Sequence, residues 1–347
     1  MEYSEFAGIY DNFMVPSMQI IIGDKKLTEE LGCATSGVNV SLSMGEPSTA
    51  SFQISDCYDP ETRAVKSIIR NHIKLGSTVE VRIGYGTDQT MVFKGYIDST
   101  SLSYSAENGF TYDVSAADVV KLLKDSGKRR REFKVKKYAE AFKELMGAYE
   151  SLAKPETDDM EGELQTALLQ EGTDYDFIMK DLIEDGDPDF EFYVFGGIAY
   201  YKKQKETQEV VTTFKPGAGL KGCNFSFQFL NRDVTVMGYS HDMQEYQDTQ
   251  SAAAKNLDSA AVKGTEVVVI HAENLQQVKD KAKRYVKDLK KRSKNGSLTV
   301  IGLPELIPGT SVEISDVDGL VDGIYNIIGV KHSVGSSGYI SELTIGG

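Results

Sequence analysis

The sequence predicts an α+β, mostly β protein: two antiparallel β-barrel domains with a small α+β insert between them. Three observations predict this. A late stretch repeats an earlier one, since Gly76-Ser77-Thr78-Val79-Glu80-Val81 returns as Gly309-Thr310-Ser311-Val312-Glu313-Ile314. In both places a strand opening on Gly95-Tyr96-Ile97 or Gly323-Ile324-Tyr325 follows, and a closing strand enters through Asn108-Gly109-Phe110 or Ser337-Gly338-Tyr339. Short segments of period-two alternation, separated by turn residues, fill both ends of the chain. Between them the apolar residues switch to helical spacing. A duplicated β-domain offers two similar surfaces from one chain, and three such chains make a ring of six.

The elements follow in order. Residues 1–14 form an N-terminal arm, 15–127 the first barrel domain, 128–212 the insert, and 213–347 the second barrel domain with a long helix over 274–292. Residues 16–24 read as a strand and turn. Val38-Asn39-Val40-Ser41-Leu42-Ser43 and Thr49-Ala50-Ser51-Phe52-Gln53-Ile54 alternate as half-buried strands. Residues 79–83 and 91–97 are strands joined through Gly84-Tyr85-Gly86-Thr87-Asp88, and 110–114 closes the set. A short helix covers 116–124. In the insert, Val135, Tyr138, Phe142, Leu145, Met146 and Tyr149 share a helix face. Thr173 or Asp174 caps a second helix carrying Phe177, Ile178, Leu182 and Ile183. A hairpin turns at Gly196-Gly197 between 190–194 and 198–201. Strands resume at 225–229 and 234–239, residues 241–264 read as a polar surface loop, and 265–270 is β-branched. In the long helix Leu275, Val278, Ala282, Tyr285, Val286 and Leu289 lie on one face, and Lys290-Lys291-Arg292 suits the negative end of its dipole.

Composition limits function. The chain has 347 residues, 40% of them apolar, with 18 Tyr, 32 Gly and no Trp. A formal charge of −14 argues against a general nucleic-acid binder, which carries a basic face. Lys128-Arg129-Arg130-Arg131 is the basic exception, read as a linker or as a contact with an acidic neighbouring subunit. Cys33, Cys57 and Cys223 are far apart, lack metal or redox spacing, and fit a reducing cytoplasm. The N-terminus has no basic region before an apolar core and predicts no signal peptide. No apolar run reaches the ~20 residues of a membrane helix.

No catalytic constellation stands out. His72, His241, His271 and His332 have no i, i+4 pairing, and there is no Gly-x-Ser-x-Gly elbow or phosphate loop. The 84–88 glycine motif sits between strands, so a hairpin turn is its reading. Asp185-Gly186-Asp187-Pro188-Asp189 lacks the glycine and glutamate that a calcium loop needs at its sixth and twelfth positions. The expectation is no cofactor, no metal and no enzyme activity.

Three segments carry a further pattern. The first is Val92-Phe93-Lys94-Gly95-Tyr96-Ile97-Asp98 with Tyr112-Asp113-Val114-Ser115-Ala116-Ala117-Asp118. The second is Glu171-Gly172-Thr173-Asp174-Tyr175-Asp176-Phe177-Ile178 with the hairpin. The third runs from Gly323 to His332 and ends in Gly338-Tyr339-Ile340-Ser341-Glu342-Leu343. In this order they resemble the late control D family, which includes the baseplate hubs of contractile phage tails and the N-terminal part of VgrG; Tyr175 stands in place of the family's Trp. The resemblance implies two tail-tube-like barrels and a homotrimer that adapts a sixfold tail tube to a threefold central spike. It implies tube or tube-initiator, spike and baseplate wedge proteins as partners, with no direct nucleic-acid binding and no membrane insertion. It implies synthesis in the bacterial cytoplasm and assembly into the baseplate of a phage or a tail-like particle, a bacteriocin or contractile injection system. The candidate assembly residues are Val79, Val81, Phe93 and Tyr96 of the first barrel, Phe192 and Tyr200 of the hairpin, Tyr285 of the long helix, and Tyr325 of the second barrel. Core packing is the competing role for each. The alternative functions are a tail-associated cell-wall hydrolase and a receptor- or glycan-binding β-module.

Overall fold

The computed structural model describes residues 2–107, 109–158, 167–187, 189–203, 209–227, 232–239, 245–251, 264–271 and 274–346. Helix α1 (Tyr3–Ile9) lies at the start, and its Phe6 is buried. The first half continues as β1 (Pro16–Ile22), β2 (Lys25–Lys26), β3 (Thr35–Ser43), β4 (Thr49–Ile54), β5 (Tyr58–Asp59), β6 (Ala64–Val65), α2 (Ser67–His72), β7 (Thr78–Tyr85), β8 (Asp88–Ser105) and β9 (Gly109–Ala117). Alternation sets the faces. In β4, Ala50, Phe52 and Ile54 are buried while Thr49, Ser51 and Gln53 face out. β7 and β8 meet at a two-residue turn, Gly86-Thr87, as the glycine motif predicts. Gly84 is obligatory there, because a Cβ would lie 1.9 Å from the Asp88 carbonyl oxygen.

The chain passes into the insert through α3 (Val119–Asp125), whose first turn is capped by Asp118 accepting from the Val120 amide at 3.0 Å. It continues as β10 (Arg131–Phe133), α4 (Tyr138–Met146), β11 (Lys154–Thr157), β12 (Leu168–Gln170), α5 (Asp174–Asp176, running into π-helical turns over Phe177–Glu184), β13 (Phe190–Phe195) and β14 (Ile198–Lys203). Thr173 caps α5 with a capping box closed by Asp176. Gly196 and Gly197 carry φ of 56° and 75°, the left-handed pair that a two-residue hairpin turn uses. The helices and hairpin bury a core of their own around Phe142, Phe177, Leu182, Phe192 and Tyr201. Three residues of the basic run pair within the chain. Arg129 sits 3.5 Å from Asp174, Arg130 3.8 Å from Glu171, and Arg131 2.6 Å from Glu144.

The second half contains β15 (Val210–Pro216), β16 (Gly219–Phe227), β17 (Arg232–Tyr239), β18 (Glu245–Ser251), β19 (Gly264–His271), α6 (Leu275–Ser293), β20 (Lys294–Ile301), β21 (Ser311–Ile314), β22 (Gly323–Gly335) and β23 (Gly338–Gly346). Strands β15, β16, β20, β23, β22 and β21 close on themselves as a six-strand barrel. The barrel is mixed rather than antiparallel, because β15 pairs in parallel with both β16 and β21. The first half orders its strands β1-β7-β8-β9-β4-β3, antiparallel throughout. Its edge strand β3 pairs with β22 instead of β1, so both halves belong to one 13-stranded sheet over one continuous core.

The second half differs from its sequence reading in two places. The long helix α6, placed with the second barrel domain, rests on a sheet of its own. Its Val278, Ala282 and Val286 pack on Val234 and Val236 of a separate three-stranded sheet, β18-β17-β19. The expected polar loop contains β18, whose Glu-Tyr-Gln-Asp-Thr-Gln-Ser sequence hides a strand because it lies at a sheet edge with alternate residues exposed. Residues 241–244 and 252–263, with His241, lie outside the described residues, as do Pro188, Asn108 and the side chains of Lys290, Lys291 and Arg292. Among the described residues, no helix is long and apolar enough to cross a membrane.

Candidate assembly surface

The duplication holds at the level of single hydrogen bonds. Gly76 donates to the Ile97 carbonyl at 2.8 Å, and Ile97 donates back to Ser77 at 2.8 Å. Gly309 donates to Ile327 at 3.0 Å, and Ile327 to Thr310 at 2.8 Å. β8 bulges between Ile97 and Ser99 against β9, and β22 bulges between Ile327 and Gly329 against β23. Gly109 and Gly338 take positive φ of 69° and 94° to open β9 and β23. One sequence equivalence shifts. The strand pairings align Gly95 with Tyr325, and Phe93 with Gly323, so Gly95-Tyr96-Ile97 and Gly323-Ile324-Tyr325 stand two residues apart in register. The remaining equivalences follow from the pairings: β4 with β20, and β3 with β16.

Alternation gives this sheet a buried apolar face and an outer face of small polar groups. A shallow trough of about 830 Å³ runs across β8, β9, β4, β3, β22 and β23, lined by Asn39, Ser51, Ser101, Ser115 and Ser333 among others. Its charges are held by neighbours. The Gln53 amide donates to Asp113 at 2.7 Å, and Lys331 lies 3.7 Å from Glu342. Such a wall is wettable and nearly neutral, with small polar side chains and Ile340 along it. The sequence signal for it was the run of alternate serines Ser99, Ser101, Ser103 and Ser105, which a reading for buried residues passes over.

A buried polar chain ties the halves together behind that wall. Tyr85 donates to the Gly302 carbonyl at 2.8 Å, and Tyr10 bonds the Glu305 carboxylate. His332 is fully buried, with Nε2 3.1 Å from the Leu306 carbonyl and Nδ1 2.9 Å from both Ser341 and Tyr339 hydroxyls. A carbonyl only accepts, so Nε2 carries the proton and Nδ1 accepts from a hydroxyl. Burial lowers the pKa of this imidazole to about 4 and keeps it neutral.

The eight sequence-derived residues are scattered through the fold. Val79, Val81, Phe93 and Tyr325 are buried in the shared core, and Phe192 in the core of the insert. Tyr96 is half-buried against the insert, and Tyr200 is half-buried, stacked on Tyr193 beneath Lys202. Tyr285 packs beside the α6 core and donates to Glu266 at 2.7 Å. Core packing accounts for the five fully buried side chains. Among the described residues, no three His, Cys, Asp or Glu converge as metal ligands would.

A family model described as the Alg8 N-terminal domain matches residues 13–336. The chain belongs to this family. No match was found among curated protein sequences. The Alg8 N-terminal fold seen here is that of tail proteins. A tail protein from Neisseria meningitidis matches with a TM-score of 0.72 at 14% identity, over 96% of this chain and 97% of that one. The 43 kDa tail protein of prophage MuSo2 from Shewanella oneidensis matches with a TM-score of 0.73 at 14% identity, over 95% and 98%. An E. coli component of the type VI secretion system, described as structurally similar to T4 bacteriophage tail proteins gp27 and gp5, matches at 0.56 with 11% identity, over 94% and 76%.

Proposed function

We propose that this chain is a structural baseplate hub of a contractile tail or tail-like injection particle. Its two tube-like units, 15–127 and 213–347, alternate around a homotrimeric ring that joins a sixfold tail tube to a threefold central spike. The observation that carries this reading is the duplication of six strands in one order, with matched bulges and turns. Three copies of a doubled unit make a ring that is threefold in identity and close to sixfold in shape. The first-half sheet, open between β1 and β3, is read as the partner of the closed barrel because its strand order is the same.

The small polar wall supports a lumen lining, since nearly neutral hydroxyls offer an anionic or apolar cargo little to hold. The fold likeness to phage and prophage tail proteins and to a type VI secretion component supports the setting. The partners on this reading are tube or tube-initiator proteins, a spike and baseplate wedge proteins. The chain is made in the bacterial cytoplasm and built into the particle. It is not an enzyme, and a peptidoglycan zymogram of the purified chain is expected to stay clear of lysis. The deciding test is light scattering of the chain alone and with its spike. A trimer, or a 3:3 complex, is expected. A monomer that ignores both spike and tube proteins sinks the proposal.

A further inference from the structure

Within the chain, the first unit is joined to the second by β3 pairing with β22, in the register Lys331↔Ser41, Ser333↔Asn39, Val334↔Val38 and Gly335↔Gly37. The duplication supplies the counterpart of each side of this joint. β22 corresponds to β8, so Ser333 corresponds to Ser103 and Val334 to Tyr104. β3 corresponds to β16, so Gly37, Val38, Asn39 and Ser41 correspond to Gly222, Cys223, Asn224 and Ser226. Among the described residues, no further strand pairs with either second copy of the joint. β7 stops with Thr78 opposite Tyr96, leaving 99–104 of β8 paired only to β9. β15 reaches only Gly219 and Leu220 of β16, leaving 222–224 paired only to β20. We propose that β8 of one chain pairs antiparallel with β16 of the next copy of the same chain, in the register of the internal joint: Ser101↔Ser226, Ser103↔Asn224, Tyr104↔Cys223 and Ser105↔Gly222.

Three independent residue-level observations point to a second copy as the occupant. The first is a glycine. A Cβ at Gly37 would lie 2.5 Å from the Val334 carbonyl oxygen, so the internal joint requires glycine there. Among the described residues, a Cβ at Gly222 meets nothing closer than Thr299 Cβ at 3.9 Å. The arriving Tyr104 carbonyl gives that glycine its reason. The second is a hydrogen bond. Ser333 donates to Asn39 at 2.8 Å across the internal joint, and the sequence repeats the pair as Ser103 and Asn224. The third is exposure. Tyr104 is 67% exposed and Leu102 46%, whereas their counterparts Val334 and His332 are 7% and 0% exposed under β3. Cys223 is exposed where Val38 is buried. An uncovered strand edge with apolar side chains is a template for pairing. Each chain carries one edge of each kind, so the contact is head-to-tail and closes into a ring when the rotation allows. The number of copies rests on the hub reading; the register does not.

The test uses the native thiol of Cys223. Residues directly opposite in an antiparallel pair have Cα atoms about 4.5–5.5 Å apart, within disulfide range. Tyr104→Cys, oxidised and run without reductant, is expected to give covalent oligomers ending at the trimer. Ser103→Cys, whose side chain leaves the opposite face, and Tyr104→Cys with Cys223→Ser are expected to give none. In parallel, Gly222→Val is expected to keep the melting temperature of the monomer and lose self-association. A protein that scatters as a trimer yet forms no bond through Cys223 in Tyr104→Cys overturns the register while leaving the hub standing. A protein that is monomeric and uncrosslinked overturns both the pairing and the self-assembly.

Discussion

His332 is neutral because every neighbour requires it. One ring nitrogen faces a carbonyl, the other faces two hydroxyls, and the ring is fully buried. Its pKa is about 4 folded against 6.5 for an ordinary histidine. Between these values the unfolded chain binds a proton that the folded chain refuses. The stability it contributes is therefore complete above pH 6.5 and lost as pH falls toward 4. The size is on the order of 3 kcal/mol for a shift of this kind. Asp118 and Asp181, raised to about 6 mainly by burial, act with the opposite sign, since the folded chain takes up their protons first. Urea melts of His332→Gln against the parent from pH 7.5 to 4.5 isolate the imidazole. The parent is expected to lose more stability than the variant across that range, and parallel profiles would refute the assignment. Gly302 bears on the same cluster. A Cβ there would lie 2.1 Å from the Tyr339 ring, so Gly302→Ala is expected to cost about 1–3 kcal/mol through overpacking, read by thermal melting.

The elements divide into those that build the sheet and those added to it. β16 and β20 are antiparallel neighbours, and Phe227 lies directly opposite Lys294. Everything from 228 to 293, including β17, β18, β19 and α6, leaves and returns at that one point. Its apolar cluster is separate from the main core. Replacing 228–293 by Asn-Gly, the pair suited to a two-residue hairpin turn, is expected to leave a folded chain with the barrel's cooperative melt. Loss of that melt would show that α6 is needed to close the barrel. The insert is held differently. The Tyr175 hydroxyl donates to the Gly45 carbonyl at 2.5 Å, and Lys124 lies 4.6 Å above its ring. Tyr175→Phe keeps the ring and removes the bond, for an expected loss of about 1 kcal/mol, measured by denaturant titration.

For the molecule as a whole, the duplication is the property that matters. The sequence repeat was visible in six residues and two glycine turns, and the structure extends it to matched bulges and to the strand order of both halves. A ring assembled by edge pairing buries backbone groups and apolar side chains together. Its oligomer is expected to resist salt, because few charges lie on the joined edges. Light scattering in low and high salt checks this, and dissociation in 1 M salt would indicate a charge-based contact instead.

Local rules fixed much of the chain. Period-two alternation located β3, β4 and β7, a Thr or Asp cap started α5, and paired glycines turned the insert hairpin, because each depends on residues within a few positions. The candidate surface was less legible. The eight candidate residues are apolar or aromatic, and apolarity marks burial whether the neighbour is the same chain or another. Partners distant in sequence required the fold: that β3 pairs with β22 rather than β1, that β15 runs parallel to its neighbours, that α6 rests on its own sheet, and that a Cβ at Gly222 would be uncrowded among the described residues. Each is a question of which edge or face meets which, and that is settled by the joint packing of the 13 strands rather than by the pattern along any one of them.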